Sequence, residues 1–196
     1  ALLRDAAVRN ALNDALDRTD LVEKVLGGFG TPLTGPVPPS ILSGYTTEST
    51  STNVDASVAK AQGELASAGW KPDPDGIMEK TTGSGTTAKT TRLEFTLATG
   101  NVPELRAAAD YVKTVWSRVG VDVTIQIYDQ GDLSQNIIRP RKYDALLFGE
   151  VIGRELDLFA FWHSSQRNDP GLNIAGYANS TVDTLLEKLR QTSDTV

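Results

Sequence analysis

Residues 92–130, RLEFTLATGNVPELRAAADYVKTVWSRVGVDVTIQIYDQ, carry the pattern that decides the fold. Apolar and polar residues alternate over residues 92–98 and again over residues 121–127, which is the period of a half-buried strand. Between these two stretches apolar residues recur at helical spacing until Gly120, namely Leu105, Ala108, Val112, Val115 and Val119. The sequence therefore predicts a strand, helix, strand unit with a right-handed crossover.

The residues that follow extend this alternation of strand and helix. A shorter helix is predicted near residues 133–138, and the apolar run Ala145-Leu146-Leu147-Phe148 predicts a strand that is covered on both faces. Two more helical patterns span residues 156–162 and 181–189. The predicted fold class is therefore α/β, a layered and mostly parallel or mixed sheet flanked by helices.

Three helices are predicted on the amino-terminal side of this unit. The first spans residues 4–16, and the second is capped by Thr19 and stopped by the pair Gly27-Gly28, where glycine tolerates the left-handed conformation. The third spans residues 55–69 and precedes Trp70, which we expect to pack against the end of that helix.

A proline-rich segment and a hairpin complete the predicted elements. Residues 30–39 should be extended and lie at the surface, because proline opposes both helix and central strand. Candidate strands over residues 77–80 and 92–98 predict a hairpin, and the polar residues 81–91 between them predict a flexible connector.

Length, charge and composition exclude several classes of function. The chain has 196 residues, a net charge of −6 with both signs interspersed, and no cysteine. Nucleic acid is therefore not an expected partner, and disulfide or thiolate metal sites are excluded. The chain begins at Ala1 and stops at Val196 just after a helical pattern, so we expect one partial domain over residues 1–196 of a longer protein.

Three polar loops follow the predicted strands of the sheet. In open α/β sheets ligands bind beyond the carboxyl ends of the strands, where helix amino termini and loop amides converge. We therefore expect a ligand-binding edge, to which Trp162 could add an aromatic surface. Its residues are Thr99, Gly100, Asn101, Tyr128, Asp129, Gln130, Gly149 and Glu150.

Short motifs in a consistent order along nearly the whole chain resemble those of the family 5 extracellular solute-binding proteins, which are the oligopeptide- and dipeptide-binding components of ABC importers. No single motif is diagnostic, and the resemblance rests on their order and spacing. The motifs are Val8-Arg9-Asn10-Ala11-Leu12 with Leu16-Asp17-Arg18, Gly30-Thr31-Pro32 with Gly35-Pro36-Val37-Pro38-Pro39, Ala66-Ser67-Ala68-Gly69-Trp70 with Asp75-Gly76-Ile77, Val119-Gly120-Val121-Asp122-Val123, Tyr143-Asp144-Ala145, and Phe161-Trp162-His163-Ser164-Ser165.

The resemblance implies a periplasmic-binding-protein-like (type II) lobe, the second and C-terminal lobe of a bilobed protein. Such proteins close on a peptide or other small ligand between two lobes and deliver it to an ABC permease in the membrane. It also implies an extracytoplasmic location, often with a lipid anchor, and neither catalysis nor a cofactor. The missing N-terminal lobe would then be a partner of this chain.

Two positions of the site depart from the family pattern. In the best-known peptide binders, an aspartate after the third strand pairs with the ligand's amino terminus, next to a tryptophan that follows a glycine. Here the glycine is Gly149, but Glu150 stands at the tryptophan position and Gly153 near the aspartate position. A substitute could come from Glu150, Glu155 or Asp157, and a family relative that binds a nickel chelate or an oligosaccharide stays open as an alternative.

The single histidine raises a third possibility, a hydrolase that uses Asp129, Glu150 and His163. Neither a nucleophile-elbow pattern nor metal-ligand spacing accompanies His163 in the sequence, so we expect a structural role for it and no metal site.

Overall fold

The computed structural model describes residues 2–37, 53–151 and 157–192. The chain forms two compact units. The first unit comprises Ala1–Pro36, Thr46–Tyr128 and Asp144–Phe148. The second unit comprises Val37–Tyr45, Asp129–Tyr143 and Gly149–Val196.

Four helices and six strands lie in the described residues of the first unit. The helices are α1 (Ala6–Ala15), α2 (Arg18–Leu26), α3 (Val54–Ser67) and α4 (Pro103–Val119). The strands are β1 (Lys71–Pro72), β2 (Met78–Thr82), β3 (Lys89–Arg92), β4 (Glu94–Gly100), β5 (Asp122–Tyr128) and β6 (Ala145–Leu147), with single 3-10 turns at Leu2–Arg4 and Gly85–Thr87.

The second unit is mostly helical in its described residues. Its helices are α5 (Gln130–Asp132), which continues as a π-helix over Leu133–Ile138, α6 (Phe159–Trp162) and α7 (Ser180–Gln191), with a 3-10 turn at Ser164–Gln166. The predicted helices near residues 133–138 and 181–189 are thus confirmed. The predicted start of α6 at residue 156 lies outside the described residues.

The parallel sheet of the first unit has the strand order β5-β4-β6. Strand β4 pairs in parallel with β5 along its whole length and with β6 over residues 97–99. The predicted strand, helix, strand unit is therefore confirmed, with α4 connecting two neighbouring parallel strands. Gly120 ends α4 in the left-handed conformation, with a φ of 93°.

The prediction of the hairpin is wrong for one of its two strands. Strand β2 pairs with β3, whose residues 89–91 are predicted as connector, and not with β4. Leu93 explains the difference, because its N–H donates to Met78 O at 2.7 Å while its carbonyl accepts from the N–H of Asp122 at 3.0 Å. The chain therefore leaves the antiparallel sheet β1-β2-β3 and enters the parallel sheet at Leu93, and the connector shrinks to residues 83–88.

Two smaller expectations also need correction. The second helix is capped by Asp17 and not by Thr19, since the Asp17 carboxylate accepts the N–H of Asp20 at 3.0 Å and the helix already begins at Arg18. Strand β6 is half-buried along its length and Phe148 is exposed, so β6 is not covered on both faces. Its pairing explains this, because β4 is the one strand bonded to it among the described residues.

The core of the first unit lies between the parallel sheet and its helices. Its fully buried members include Val8, Leu65, Leu93 and Val119. Trp116 joins three elements, because its ring packs edge-on against Phe95 from β4 and its Nε1–H donates to Leu12 O of α1 at 2.9 Å. Trp70 is buried directly after α3, as expected.

A helical glycine and a turn glycine should respond in opposite ways to alanine. Gly63 is exposed in the middle of α3, and a Cβ there would meet no atom within 4 Å. Gly63→Ala should therefore stabilise the protein by about 0.5–1 kcal/mol, the cost of glycine in a helix.

Gly120→Ala should destabilise the protein by more than about 1 kcal/mol, because the φ of Gly120 is positive. Its Cβ would also lie 2.9 Å from both Gly76 O and Met78 Cγ. Denaturant unfolding measures both, and a loss of stability in Gly63→Ala would contradict the first expectation.

The Tyr111 hydroxyl should make the fold sensitive to alkali. Burial, together with the hydrogen bond that it donates to Asp20 Oδ2 at 2.7 Å, raises the pKa of Tyr111 well above its ordinary value. The folded state thus holds this proton more tightly than the unfolded state, so this contribution to stability is complete below the ordinary tyrosine pKa of about 10 and is lost as the pH rises above it. In Tyr111→Phe the free energy of unfolding should therefore decrease less steeply above that pH than in the unmodified protein. A slope as steep in Tyr111→Phe as in the unmodified protein would contradict this expectation.

Candidate ligand-binding edge

The carboxyl ends of three parallel strands meet at one edge of the first unit. Gly100 of β4 pairs with Tyr128 of β5, and Thr99 of β4 pairs with Ile127 on one side and Leu147 of β6 on the other. The structure therefore brings Thr99, Gly100 and Tyr128 together at the edge where they were expected. Their contact with a ligand stays a prediction.

Two polar side chains hold β6 against β4 and so position this edge. The Thr99 hydroxyl, which is fully buried, donates to Leu147 O at 2.9 Å. The Asp144 carboxylate, just before β6, accepts from the Thr96 N–H at 3.0 Å and from the Thr96 hydroxyl at 2.8 Å. The hydroxyl of Thr99 is therefore committed to the sheet.

Asn101 and the start of α4 form the next part of the edge. The Asn101 N–H donates to Tyr128 O at 2.8 Å, and Arg106 Nη1 approaches Asn101 Oδ1 at 3.4 Å. Helix α4 begins at Pro103 with no side-chain cap at Val102. The positive end of a helix of 17 residues thus lies beside the strand ends, which favours electron-rich ligand groups such as carbonyls and carboxylates.

Three apolar residues at this edge were not predicted to be site residues. Val102, Ile127 and Phe148 follow or end the three strands and are 44%, 45% and 44% exposed. The alternation had placed Ile127 on the buried face with Val123 and Ile125. Exposure increases along β5 from Val123, which is buried, through Ile125, which is half-buried, to Ile127. In the sequence, only the position of Val102, Ile127 and Phe148 next to the strand ends could have identified them as candidate site residues.

The remaining predicted site residues belong to the second unit. The Asp129 carbonyl accepts from the Leu133 N–H at 2.8 Å and so begins the helical segment of which Gln130 is the first residue. Gly149 and Glu150 are exposed, yet the protein atoms around Glu150 displace enough water to raise the pKa of its carboxyl. Trp162 is half-buried and packs edge-on against Tyr177, with ring centroids 5.9 Å apart.

The residues that could replace the family's aspartate differ in whether an arginine already pairs with them. Gly153 and Glu155 lie outside the described residues. Asp157 is held by Arg190, whose Nε lies 3.0 Å and 3.1 Å from its two carboxylate oxygens, and this contact keeps the pKa of Asp157 below its usual range. Glu150 is the one described candidate without such an ion pair among the described residues.

His163 is built into the second unit as a structural residue. The Ser165 N–H donates to Nδ1 at 3.1 Å, the Ser165 hydroxyl lies 2.8 Å from the same nitrogen, and Nε2 lies 3.4 Å from Glu187 Oε1. One face of the ring stacks on Phe159 at 4.1 Å. Both ring nitrogens thus have partners within the unit, and the ring is buried.

Neither a metal cluster nor a membrane span is found in the part of the chain that the structure describes. No group of three or more His, Cys, Asp or Glu side chains in residues 2–37, 53–151 and 157–192 could hold a metal ion. None of the described helices is both long enough and apolar enough to cross a bilayer.

Comparison with known proteins places this arrangement in a family. The model of "Bacterial extracellular solute-binding proteins, family 5 Middle" matches residues 1–170. The chain belongs to this family. Among curated relatives it is 32% identical to the oligopeptide-binding protein AppA of Bacillus subtilis, over 98% of this chain and 34% of AppA. It is 31% identical to protein XP55 of Streptomyces lividans, over 97% of this chain and 33% of that protein.

Solved structures of other binding proteins share the fold. The structure of Bacillus subtilis AppA in complex with a nonapeptide superposes with a TM-score of 0.83 at 30% identity, over 98% of this chain and 37% of that one. Campylobacter jejuni NikZ in complex with Ni(L-His) gives 0.76 at 26% identity, over 98% and 37%. The expected fold of a type II periplasmic binding protein is thus confirmed. The chain spans about a third of the length of these relatives.

Asp144 should prove to anchor the edge. Asp144→Ala removes the acceptor of two hydrogen bonds from Thr96 and should cost about 1–3 kcal/mol of unfolding free energy. Asp144→Asn keeps an acceptor oxygen at the same place and should retain most of that stability. Chemical denaturation compares the two variants, and equal losses would mean that the bonds to Thr96 contribute nothing.

Proposed function

We propose that this chain is the C-terminal lobe of an extracytoplasmic substrate-binding protein that serves an ABC importer. The protein holds a peptide between this lobe and an N-terminal lobe, and the closed form delivers the peptide to a permease in the membrane. The observation that carries the proposal is the likeness to AppA, which was solved with a nonapeptide, over nearly the whole of this chain.

The chemistry of the edge supports a role in binding and not in catalysis. The strand ends offer backbone groups, the start of α4 and exposed apolar side chains, which suit an extended peptide whose side chains vary. The buried His163 is engaged through its ring nitrogens by Ser165 and Glu187 of the second unit, whereas the strand ends belong to the first unit. We therefore propose no reaction and no cofactor at this edge.

Within this function, Glu150 is our candidate for the group that binds the ligand's amino terminus. It stands in the loop after β6, it is exposed, and its described neighbours leave its carboxylate available. A peptide ammonium would stabilise the charged form of this carboxylate, whose raised pKa shows that its surroundings alone do not.

A second candidate ligand, a nickel chelate, is favoured by the likeness to NikZ, which was solved with Ni(L-His). The chain is less similar to NikZ than to AppA in both identity and superposition, so peptide comes first. An oligosaccharide remains in the panel of ligands to be tested, without an observation of its own.

Calorimetry on the full-length protein separates these ligands. We expect a nonapeptide of mixed composition to bind, and Ni(L-His) and an oligosaccharide of similar size to give no heat. Binding of Ni(L-His) without peptide binding would move the assignment to the second candidate. Heat from the oligosaccharide alone would refute both.

The role of Glu150 has its own test in the same protein. Glu150→Gln should weaken binding of a peptide with a free amino terminus by about tenfold or more, the value of a hydrogen bond to a charged group. The N-acetylated form of the same peptide should bind both proteins equally. Asp110→Asn, an exposed carboxylate two turns into α4, is the matched control and should bind as the unmodified protein does. An equal loss with both peptides would assign Glu150 a different role.

A further inference from the structure

A serine hydroxyl lies against the single histidine of the chain. Ser165 Oγ is 2.8 Å from His163 Nδ1, and the other ring nitrogen, Nε2, is 3.4 Å from Glu187 Oε1 of α7. A hydroxyl, an imidazole and a carboxylate in this order activate a serine, because the imidazole takes the hydroxyl proton and the carboxylate stabilises the imidazolium that forms. We call these three side chains the Ser165 triad.

Packing and charge hold the imidazole of the triad in place. The ring is 8% exposed and stacks on Phe159, with ring centroids 4.1 Å apart and planes at 14°. Asp183 Oδ1 lies 4.0 Å from Nε2, and hydrogen bonds from the hydroxyl and the N–H of Ser164 keep the pKa of Asp183 below its usual range. Two carboxylates of α7 therefore face Nε2, and both stabilise a positive charge on the ring.

The Ser165 hydroxyl is accessible and keeps a lone pair for attack. Ser165 is exposed, although the ring that it contacts is buried. A hydroxyl has one hydrogen to donate and two lone pairs. When that hydrogen is directed at His163 Nδ1, Gln166 Nε2 at 3.1 Å occupies one lone pair, and the other has no hydrogen-bond partner among the described residues. The N–H of Ser165 also approaches Nδ1, at 3.1 Å, which keeps the serine beside the ring.

The neighbouring serine is engaged in a different way. The Ser164 hydroxyl donates to Asp183 Oδ2 at 2.6 Å, so its proton is held by a carboxylate and not by an imidazole. Residues 1–196 contain one histidine, so no second serine of this chain has a histidine of its own as a base. Ser164 is therefore an internal reference for the reactivity of Ser165.

We propose that Ser165 is a site of covalent modification that accepts the acyl group of an activated carboxylic ester. Oγ forms a bond to the carbonyl carbon, the bond from that carbon to the leaving oxygen breaks, and the hydroxyl proton passes to His163 Nδ1 and then to solvent. The leaving oxygen departs with its electron pair, so the step needs neither an oxidant nor a reductant. The site goes beyond the proposed function, because it uses none of the residues of the ligand-binding edge.

Acetylation of the full-length protein by p-nitrophenyl acetate tests this site, with mass spectrometry after an acid quench as the readout. We expect acetylation of Ser165 to outpace that of Ser164 and of Ser180, an exposed serine at the start of α7. The rate at Ser165 should be at least about 100-fold higher in the folded protein than in guanidinium, and His163→Gln should lower it by a similar factor, as for a positioned general base. Equal rates in folded and unfolded protein would overturn the proposal.

Glu187→Gln tests the carboxylate of the triad. Glu187 is a positioning residue, since it acts through the ring, and it lies on the exposed side of α7, so the variant should keep the melting temperature of the unmodified protein. The rate at Ser165 should nevertheless fall by about tenfold or more, because the imidazolium loses a charged partner. Glu23→Gln, an exposed carboxylate of α2, is the matched control and should be acetylated as the unmodified protein is.

An unchanged rate at Ser165 in Glu187→Gln would also overturn the proposal. The comparison of folded with unfolded protein needs no substitution, so it decides the question even where His163→Gln does not fold. Acetylation of Ser164 and Ser165 at equal rates in the folded protein would contradict a role for the imidazole.

Discussion

The parallel pairing of β4 with a strand on each side is the constraint from which the rest of the first unit follows. Parallel neighbours cannot be joined by a tight turn, so the chain has to cross over between β4 and β5, and α4 does so. Parallel pairing also places the carboxyl ends of β4, β5 and β6 at one edge. The start of α4 follows directly from the end of β4, so strand ends and a helix amino terminus meet at the same place without any further requirement.

Leu93 shows how one residue serves two sheets with opposite requirements. Its N–H completes the antiparallel side at Met78 and its carbonyl begins the parallel side at Asp122. Its side chain is fully buried, so the change of partner takes place inside the core and exposes no unpaired backbone group to an apolar environment. The two sheets thus share a junction, although no strand of one is a strand of the other.

The sequence was sufficient for elements whose pattern and environment agree. The strand, helix, strand unit was predicted nearly to its ends, because the sheet and α4 bury the faces that the alternation marks as apolar. Strand β3 was missed because Lys89, Thr90 and Thr91 show no apolar alternation. They pair as a strand through backbone bonds and the contact between the Thr81 and Thr90 hydroxyls at 2.8 Å.

The candidate site was predictable to the same extent. Which residues follow each strand is a matter of chain order, so Thr99, Gly100 and Tyr128 could be placed at one edge from the sequence. How far each side chain is covered depends on where the neighbouring elements stop. Short motifs do not encode this, so the exposure of Ile127 and the engagement of Asp157 by Arg190 could not be foreseen.

The described part of the second unit is ordered mainly by polar contacts, whereas the first unit has an apolar core. Its described contacts are mostly directed and polar: Asn173, fully buried, donates to the carbonyls of His163 and Tyr177 and accepts the N–H of Tyr177. Such bonds fix geometry strictly, because a misplaced partner leaves a buried polar group unpaired, but each adds only about 1 kcal/mol of net stability. A unit ordered by polar contacts therefore has a defined shape before it has much stability, and apolar burial has to supply the difference. Helix α7 shows this, because polar contacts near both of its ends, from Ser164 to Asp183 and from Arg190 to Asp157, set its orientation, while Leu186 is its one buried apolar residue.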